Sequence, residues 1–258
     1  MRILEHGQER ERTLLFFPCT AEPVWAFEAP VALLSQRWHV FQVIFDGHQP
    51  EYPGDFTSVE RTVDEVTDYL KSRGVLRLDA AYGCSLGGAC LTRFLALGEI
   101  PVRRAIIDGG ITPYQFPYPL RRLRLAVDVL SFRIAAGSRK VLEAAFPPER
   151  FTLPGHDPAE EYDAIERYLK TYSARTIRNV FWSGNNYALP ETPAVSDTKI
   201  AYWYGEDEER DRRGNIRFLR RYFPGIQLRA FPGMAHAELL MIHPEEFCRY
   251  AEEFLWVR

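Results

Sequence analysis

Gly83-Cys84-Ser85-Leu86-Gly87, followed at once by Gly88, sets one serine among glycines in a chain of 258 residues. A serine hydroxyl is a weak nucleophile until a base takes its proton, so the chemistry on offer is acyl transfer assisted by an imidazole and a carboxylate. Two histidines follow strand-like runs: His236, in Gly233-Met234-Ala235-His236, and His48, in Asp46-Gly47-His48. Carboxylates at comparable places are Asp108, in Asp108-Gly109-Gly110, and Asp207 and Glu208, in Tyr204-Gly205-Glu206-Asp207-Glu208.

Such a serine must stand clear of a sheet on a sharp turn. Leu78-Asp79-Ala80-Ala81-Tyr82 before it reads as a buried strand, and residues 89–97 after it as a helix. Strand, turn and helix form the setting in which G-x-S-x-G becomes a nucleophile elbow, with glycines leaving room for the strained turn. Other strand-like runs are 14–17, 40–45, 105–107, 200–204 and 226–231, nearly continuous in apolar residues as parallel strands covered on both faces should be. Helical patterns lie between and after them. One covers 57–73, opened by a capping box at Thr57-Ser58-Val59-Glu60 and closed by Gly74; others cover 209–222 and 236–256. The alternation predicts an α/β fold with a mainly parallel sheet flanked by helices.

Between 112 and 197 the pattern breaks. Pro113, Pro117 and Pro119 open a stretch with helices expected near 120–136, 138–146 and 159–180 and no strand. The expected organisation is a core of residues 1–111 and 198–258 carrying an inserted helical cap, 112–197. Ligands of open α/β sheets bind beyond the carboxyl ends of the strands. Pro18-Cys19-Thr20, Asp46-Gly47-His48, Ser85, Asp108, Gly205–Glu208 and His236 all fall at that edge, in the order serine, acid, histidine.

Across nearly its whole length the chain resembles the α/β-hydrolase superfamily, in detail its bacterial serine esterases and lipases. The resemblance rests on G-C-S-L-G-G at 83–88, Y-G-E-D-E at 204–208, G-M-A-H at 233–236 and the inserted cap. It implies Ser85 as nucleophile and His236 as general base. The acid commonly lies three residues beyond the glycine ending its strand, which ranks Glu208 first, then Asp207, with Asp108 third. The oxyanion would be held by the backbone N–H of Leu86 and by one from the loop after the first strong strand. Relatives usually carry His-Gly in that loop. Here it is Pro18-Cys19-Thr20, and proline has no N–H, leaving Cys19 or Thr20 as donor.

The cap brings Tyr114, Phe116, Tyr118, Phe132, Trp182 and Tyr187, with Tyr114, Phe116 and Trp182 the candidates to line an apolar acyl pocket. The expected substrate is a small carboxylic ester. Arg121, Arg122 and Arg124 would suit the phosphates of an acyl carrier, which makes an acyl thioesterase the alternative. Arg124 also has Asp128 four residues on as a simple pairing partner. A hydrolase-fold protein that binds a small molecule without useful turnover is the reading from a different class. Thirty-two basic against 35 acidic residues give a net charge of −3, which offers no case for nucleic acid. No apolar run reaches the length of a membrane span, and no signal peptide is visible. Cys19, Cys84, Cys90 and Cys248 have neither a redox nor a zinc spacing, so no metal and no cofactor are expected. Reduced thiols fit a cytoplasmic protein; Cys19 is expected to be more exposed than Cys84 and Cys90.

Overall fold

In the computed structural model, residues 1–52, 54–113, 116–194 and 197–256 are described. Seven strands form one sheet: β1 (Arg2–His6), β2 (Thr13–Phe17), β3 (His39–Ile44), β4 (Leu78–Cys84), β5 (Val102–Asp108), β6 (Lys199–Gly205) and β7 (Gln227–Phe231). Their order is β1-β3-β2-β4-β5-β6-β7, with β1 antiparallel to β3 and every other pair parallel. Charged residues in the amino-terminal twelve hide β1 from a sequence reading; as an edge strand it needs little burial, and Arg2 to His6 pair with Ile44 to Val40.

Alternation along the strands feeds two apolar layers. Leu15 and Phe17 face α2 (Val59–Ser72), α3 (Leu86–Leu97) and α9 (Glu209–Tyr222). Leu14 and Phe16 face α1 (Glu28–Ser35), α10 (Glu238–Ile242) and α11 (Pro244–Leu255). With both faces covered, the parallel strands read as unbroken apolar runs. The helix expected over 236–256 is two helices, broken at His243 because Pro244 cannot supply the next N–H. The capping box before α2 does not form. Ser58 is the cap and accepts from the Arg61 amide at 3.2 Å, while Glu60 instead accepts from the Ala188 amide at 2.8 Å.

Between β5 and β6 lie α4 (Tyr118–Gly137), α5 (Arg139–Ala145), α6 (Pro148–Phe151), α7 (Pro158–Leu169) and α8 (Ala174–Gly184). They share a small core of their own, including Leu142, Tyr162, Tyr168, Leu169, Tyr172 and Ile177. The single helix expected over 159–180 is split at Lys170–Ser173, where Ser173 caps α8 by accepting from the Thr176 amide at 2.9 Å.

β2 lies between β3 and β4, so the chain runs outward one way from β2 and then crosses to its other side. That reversal opens a crevice at the carboxyl ends of β2 and β4. The Pro18-Cys19-Thr20 loop and the Ser85 turn both leave the sheet there.

Candidate active site

Ser85 joins β4 to α3 with φ 55° and ψ −113°, a conformation that costs a non-glycine residue about 1–3 kcal/mol. The glycines around it permit close approach. A Cβ on Gly83 would strike the Gly87 carbonyl oxygen, and one on Gly87 would strike the carbonyl oxygens of Phe17 and Pro18. The second contact presses the first turn of α3 against the loop that carries Cys19. Neither the Leu86 nor the Cys19 amide has a hydrogen-bond acceptor among the described residues. Two free donors thus flank the serine, as an oxyanion requires. Cys19 is 4% exposed against 0% for Cys84 and Cys90, the expected order, although all four cysteines are buried.

The turn after β5 links serine to histidine. The Ser85 amide donates to the Asp108 carbonyl at 2.9 Å, and Gly109, at φ 53°, donates to the Trp203 carbonyl at 2.8 Å. A Cβ on Gly109 would lie 2.6–2.7 Å from the His236 ring and 3.2 Å from Glu208 Oε1. The imidazole therefore rests on bare backbone, at the residue next to the one whose carbonyl holds Ser85. The Ser85 hydroxyl itself makes no hydrogen bond among the described residues, and the residue as a whole is 7% exposed.

Of the three acid candidates, Glu208 is the one that reaches His236. Its Oε2 lies 2.8 Å from Nδ1, and the Gly205 amide donates to its Oε1 at 3.2 Å. Burial pushes the Glu208 carboxyl up, but the hydrogen bond and charge of His236, joined by Arg212, outweigh this and hold it at about 2. Asp207 is instead half exposed and paired with Arg150 at 2.8 Å. Asp108 is buried and accepts from the Tyr82 hydroxyl at 2.6 Å. Burial raises its carboxyl to about 6; the Tyr82 bond opposes that and the nearby Glu208 charge adds to it.

His48, the rival histidine, lies elsewhere. It is 3% exposed, its Nδ1 faces the Asp46 carbonyl at 3.1 Å, and its Nε2 faces the Thr20 hydroxyl at 2.8 Å. Burial lowers it to about 4, so it stays neutral: Nδ1 donates to the carbonyl and Nε2 accepts from Thr20. Its work is to hold the loop after β2.

Several contributors have weaker sequence signals. Arg212 on α9 donates from Nε to Glu208 Oε2 at 2.6 Å and comes within 3.3 Å of His236 Nδ1. An acid and a base four apart on one helix could have flagged it. Arg150 on α6 donates to both oxygens of the buried Glu238 at 2.8 and 2.9 Å and to the Gly233 carbonyl at 2.6 Å. Glu238 in turn accepts from the Ala235 amide at 2.6 Å. The loop bearing His236 is thereby clamped from the segment between β5 and β6. Tyr172 accepts from the Ala21 amide at 3.2 Å, next to the Cys19 loop. Nothing local in sequence announces these contacts, which span 88 and 151 residues.

The expected acyl-pocket residues are less concentrated. Tyr114 lies outside the described residues. Phe116 is half-buried, with its carbonyl accepting from Arg121 Nε at 2.7 Å. Trp182 packs edge-on against Tyr118, ring centroids 5.9 Å apart. The three arginines considered for a carrier have partners within the protein. Arg121 holds Phe116 and Asn186, Arg122 donates to the Tyr118 hydroxyl at 3.1 Å, and Arg124 pairs with Asp128 at 2.9 Å. Two grooves of about 700 and 380 Å³ open at the amino ends of β5, β6 and β7, the opposite edge of the sheet, and no triad candidate lines them.

Residues 14–250 match the alpha/beta hydrolase family, and the chain belongs to it. Solved structures share the fold at low identity. A putative alpha/beta hydrolase family protein from Desulfitobacterium hafniense is 16% identical, covering 98% of this chain and 100% of its own, with a TM-score of 0.73. A carboxylesterase of the thaumarchaeon Nitrososphaera gargenis is 17% identical over 98% of this chain and 93% of its own, with a TM-score of 0.70. A 1H-3-hydroxy-4-oxoquinoline 2,4-dioxygenase is also 17% identical, over 98% and 95%, at 0.65. No curated protein matches the chain. Hydrolase and dioxygenase on one fold mean that chemistry must be argued from the site. No helix among the described residues is long and apolar enough to cross a membrane.

Proposed function

We propose that this chain is a serine hydrolase that cleaves a small carboxylic ester through an acyl-enzyme on Ser85. The reading rests on the 2.8 Å pairing of Glu208 with His236 Nδ1, set on the Gly109 backbone beside the serine turn. With Nδ1–H donated to Glu208, Nε2 carries the lone pair that takes the Ser85 proton. Ser85 Oγ then bonds to the acyl carbon, and the carbonyl oxygen becomes an oxyanion held by the Leu86 and Cys19 amides. Collapse breaks the bond to the leaving alcohol, which takes the proton back from His236. Water repeats the sequence and frees the acid.

In this reading residues 112–197 are a cap over a core of 1–111 and 198–258. Phe116 and Trp182 line the acyl side. Tyr114 remains a candidate on sequence grounds alone. The arginines at 121, 122 and 124 are engaged within the cap, which favours an ester over a carrier-bound thioester.

Hydrolysis of p-nitrophenyl esters of increasing acyl length, compared between wild type and Ser85→Ala, tests the proposal. Loss of such a nucleophile lowers kcat by up to about a million-fold. Equal rates in both proteins would remove Ser85 from the mechanism. Turnover of acyl thioesters but not esters would reassign the leaving group, and silence towards both would favour the binding protein.

A further inference from the structure

Helix α4 is apolar on two opposite sides. Leu125, Val129, Phe132 and Ala136 face inward; Leu125 and Ala136 are buried and Val129 and Phe132 pack against the small core of this region. On the other side Leu120, Leu123, Val127, Leu130 and Ile134 are 47–63% exposed. Their spacing is three, four, three, four, which on a helix makes one stripe only about 80° wide. A helix that is apolar on both sides is built to be covered on both. The stripe faces away from the core, so neither folding nor the proposed active site uses it.

We infer that this stripe is the seam of an antiparallel homodimer with its two-fold axis at Val127. Its positions are symmetric about that residue to within one place. Reversing the helix sets Leu120 opposite Ile134, Val127 opposite itself, and Leu123 within one residue of Leu130. A two-fold interface requires this self-complementarity. Three-four spacing is the signature of knobs-into-holes packing, whereas a helix lying on lipid presents a broader face carrying Trp or Phe. No aromatic residue sits in the stripe.

Charge agrees with the antiparallel sense. Arg124 and Asp128 flank the stripe on one side and are paired within the helix at 2.9 Å. In an antiparallel pair, Arg124 of one copy falls about two residues, or 3 Å, along the axis from Asp128 of the other, so the ion pairs can exchange across the seam. A parallel pair would instead put the two Arg124–Asp128 flanks on opposite sides of the seam, where they cannot meet. Ala126 and Ser131, small residues at the stripe's edges, let the backbones approach. Two such stripes bury roughly 500 Å² per copy, at the weak end of specific interfaces, and the expected dimer is a weak one with a Kd on the order of micromolar.

Sedimentation of the full chain from about 1 to 200 μM brackets that affinity. Wild type is expected to pass from monomer to dimer, and Val127→Glu, which brings two carboxylates face to face, to raise Kd at least tenfold with an unchanged far-UV CD spectrum. Orientation is read by cross-linking, with the native thiols all buried. A short bismaleimide should join Val127→Cys to itself and Leu120→Cys to Ile134→Cys, but not Leu120→Cys to itself. A monomer at every concentration overturns the inference, as does a dimer indifferent to Val127→Glu or efficient self-linking of Leu120→Cys. A monomer that sediments with phosphatidylglycerol vesicles through Val127 would overturn it in favour of a lipid-binding face.

Discussion

The carboxyl edge of the sheet and the helical region between β5 and β6 are held together by different means. At the sheet edge, position is set by backbone. Glycines at 83, 87 and 109 let chain segments touch where any side chain would collide, and the ring of His236 lies on one of them. The helical region is joined to that edge by long side chains: Arg150 on the histidine loop, Tyr172 on the Cys19 loop, and Glu60 of the core reaching back to Ala188. The first kind of contact tolerates almost no change. The second can lose one member and relax. If that distinction is right, substitutions at the edge should abolish the proposed activity, while those in the linking side chains should only weaken it.

Gly109→Ala is the sharpest test of the edge. The added Cβ meets the imidazole at 2.6–2.7 Å, and alanine resists φ 53°. His236 must move by close to an ångström, a displacement that costs on the order of 10²-fold in rate when it falls on a catalytic group. We expect kcat on p-nitrophenyl esters to fall by at least that factor, with only about 1–2 kcal/mol lost in urea unfolding. Retention of more than a tenth of wild-type kcat would show that the histidine does not depend on this contact.

Arg212 is a long side chain working at the edge, and it tests whether the two classes are truly separate. Its guanidinium shares Glu208 with His236, drawing negative charge away from the imidazole. Removing it in Arg212→Met leaves Glu208 free to favour the protonated ring. The acid limb of the kcat/KM profile should then move to higher pH, with a loss at neutral pH of roughly tenfold. Arg212→Lys, which restores the charge, should recover most of that shift. A pH profile that does not move would make Arg212 merely structural.

The same division explains what could be read from sequence. The elbow and the strand ends follow from local pattern, because motif and secondary-structure period fix them within a few residues, whereas the rank of Glu208 over Asp207 comes from the family resemblance. The near-complete burial of Cys19 could not be read, because a loop residue gives no sign of the packing above it. Glu60 signalled a capping box but was drawn to a partner 128 residues away. Arg150, Tyr172 and His48 act through tertiary contacts that no local pattern encodes. The outer stripe of α4 was hidden differently: an apolar residue on either side of a helix fits a core face until the fold shows which side is already covered.

Two carboxylates at the edge titrate in opposite senses. Glu208, held at about 2, adds stability at neutral pH that is lost as pH falls from about 4.5 towards 2. Asp108, raised to about 6, does the reverse: its burial costs least below about 3.8 and the cost is complete above about 6. Asp108→Asn keeps an acceptor for Tyr82 and removes the charge. Relative to wild type it should gain on the order of 1–2 kcal/mol above pH 6 and nothing near pH 4, measured by urea unfolding at a series of pH values. A uniform gain or loss across pH would mean that Asp108 is not the titrating group.

The smallest effect should come from the linking side chains. Tyr168 donates to the Glu22 carbonyl at 2.8 Å, so at the 2.9 Å contact between the two hydroxyls it is Tyr172 that donates. Tyr172 in turn accepts from Ala21, which sits at φ 66°. The relay pins both sides of a strained residue two places beyond Cys19. Tyr172→Phe keeps the ring and its packing on Phe132 and His48 but deletes the acceptor for the Ala21 amide. One unsatisfied amide costs about 1 kcal/mol. If the Cys19 amide is the second oxyanion donor, loosening this loop should lower kcat several-fold with KM little changed, because the oxyanion exists only beyond the ground state. A rise in KM at constant kcat would instead make the Tyr172 relay part of substrate binding and move the second donor elsewhere.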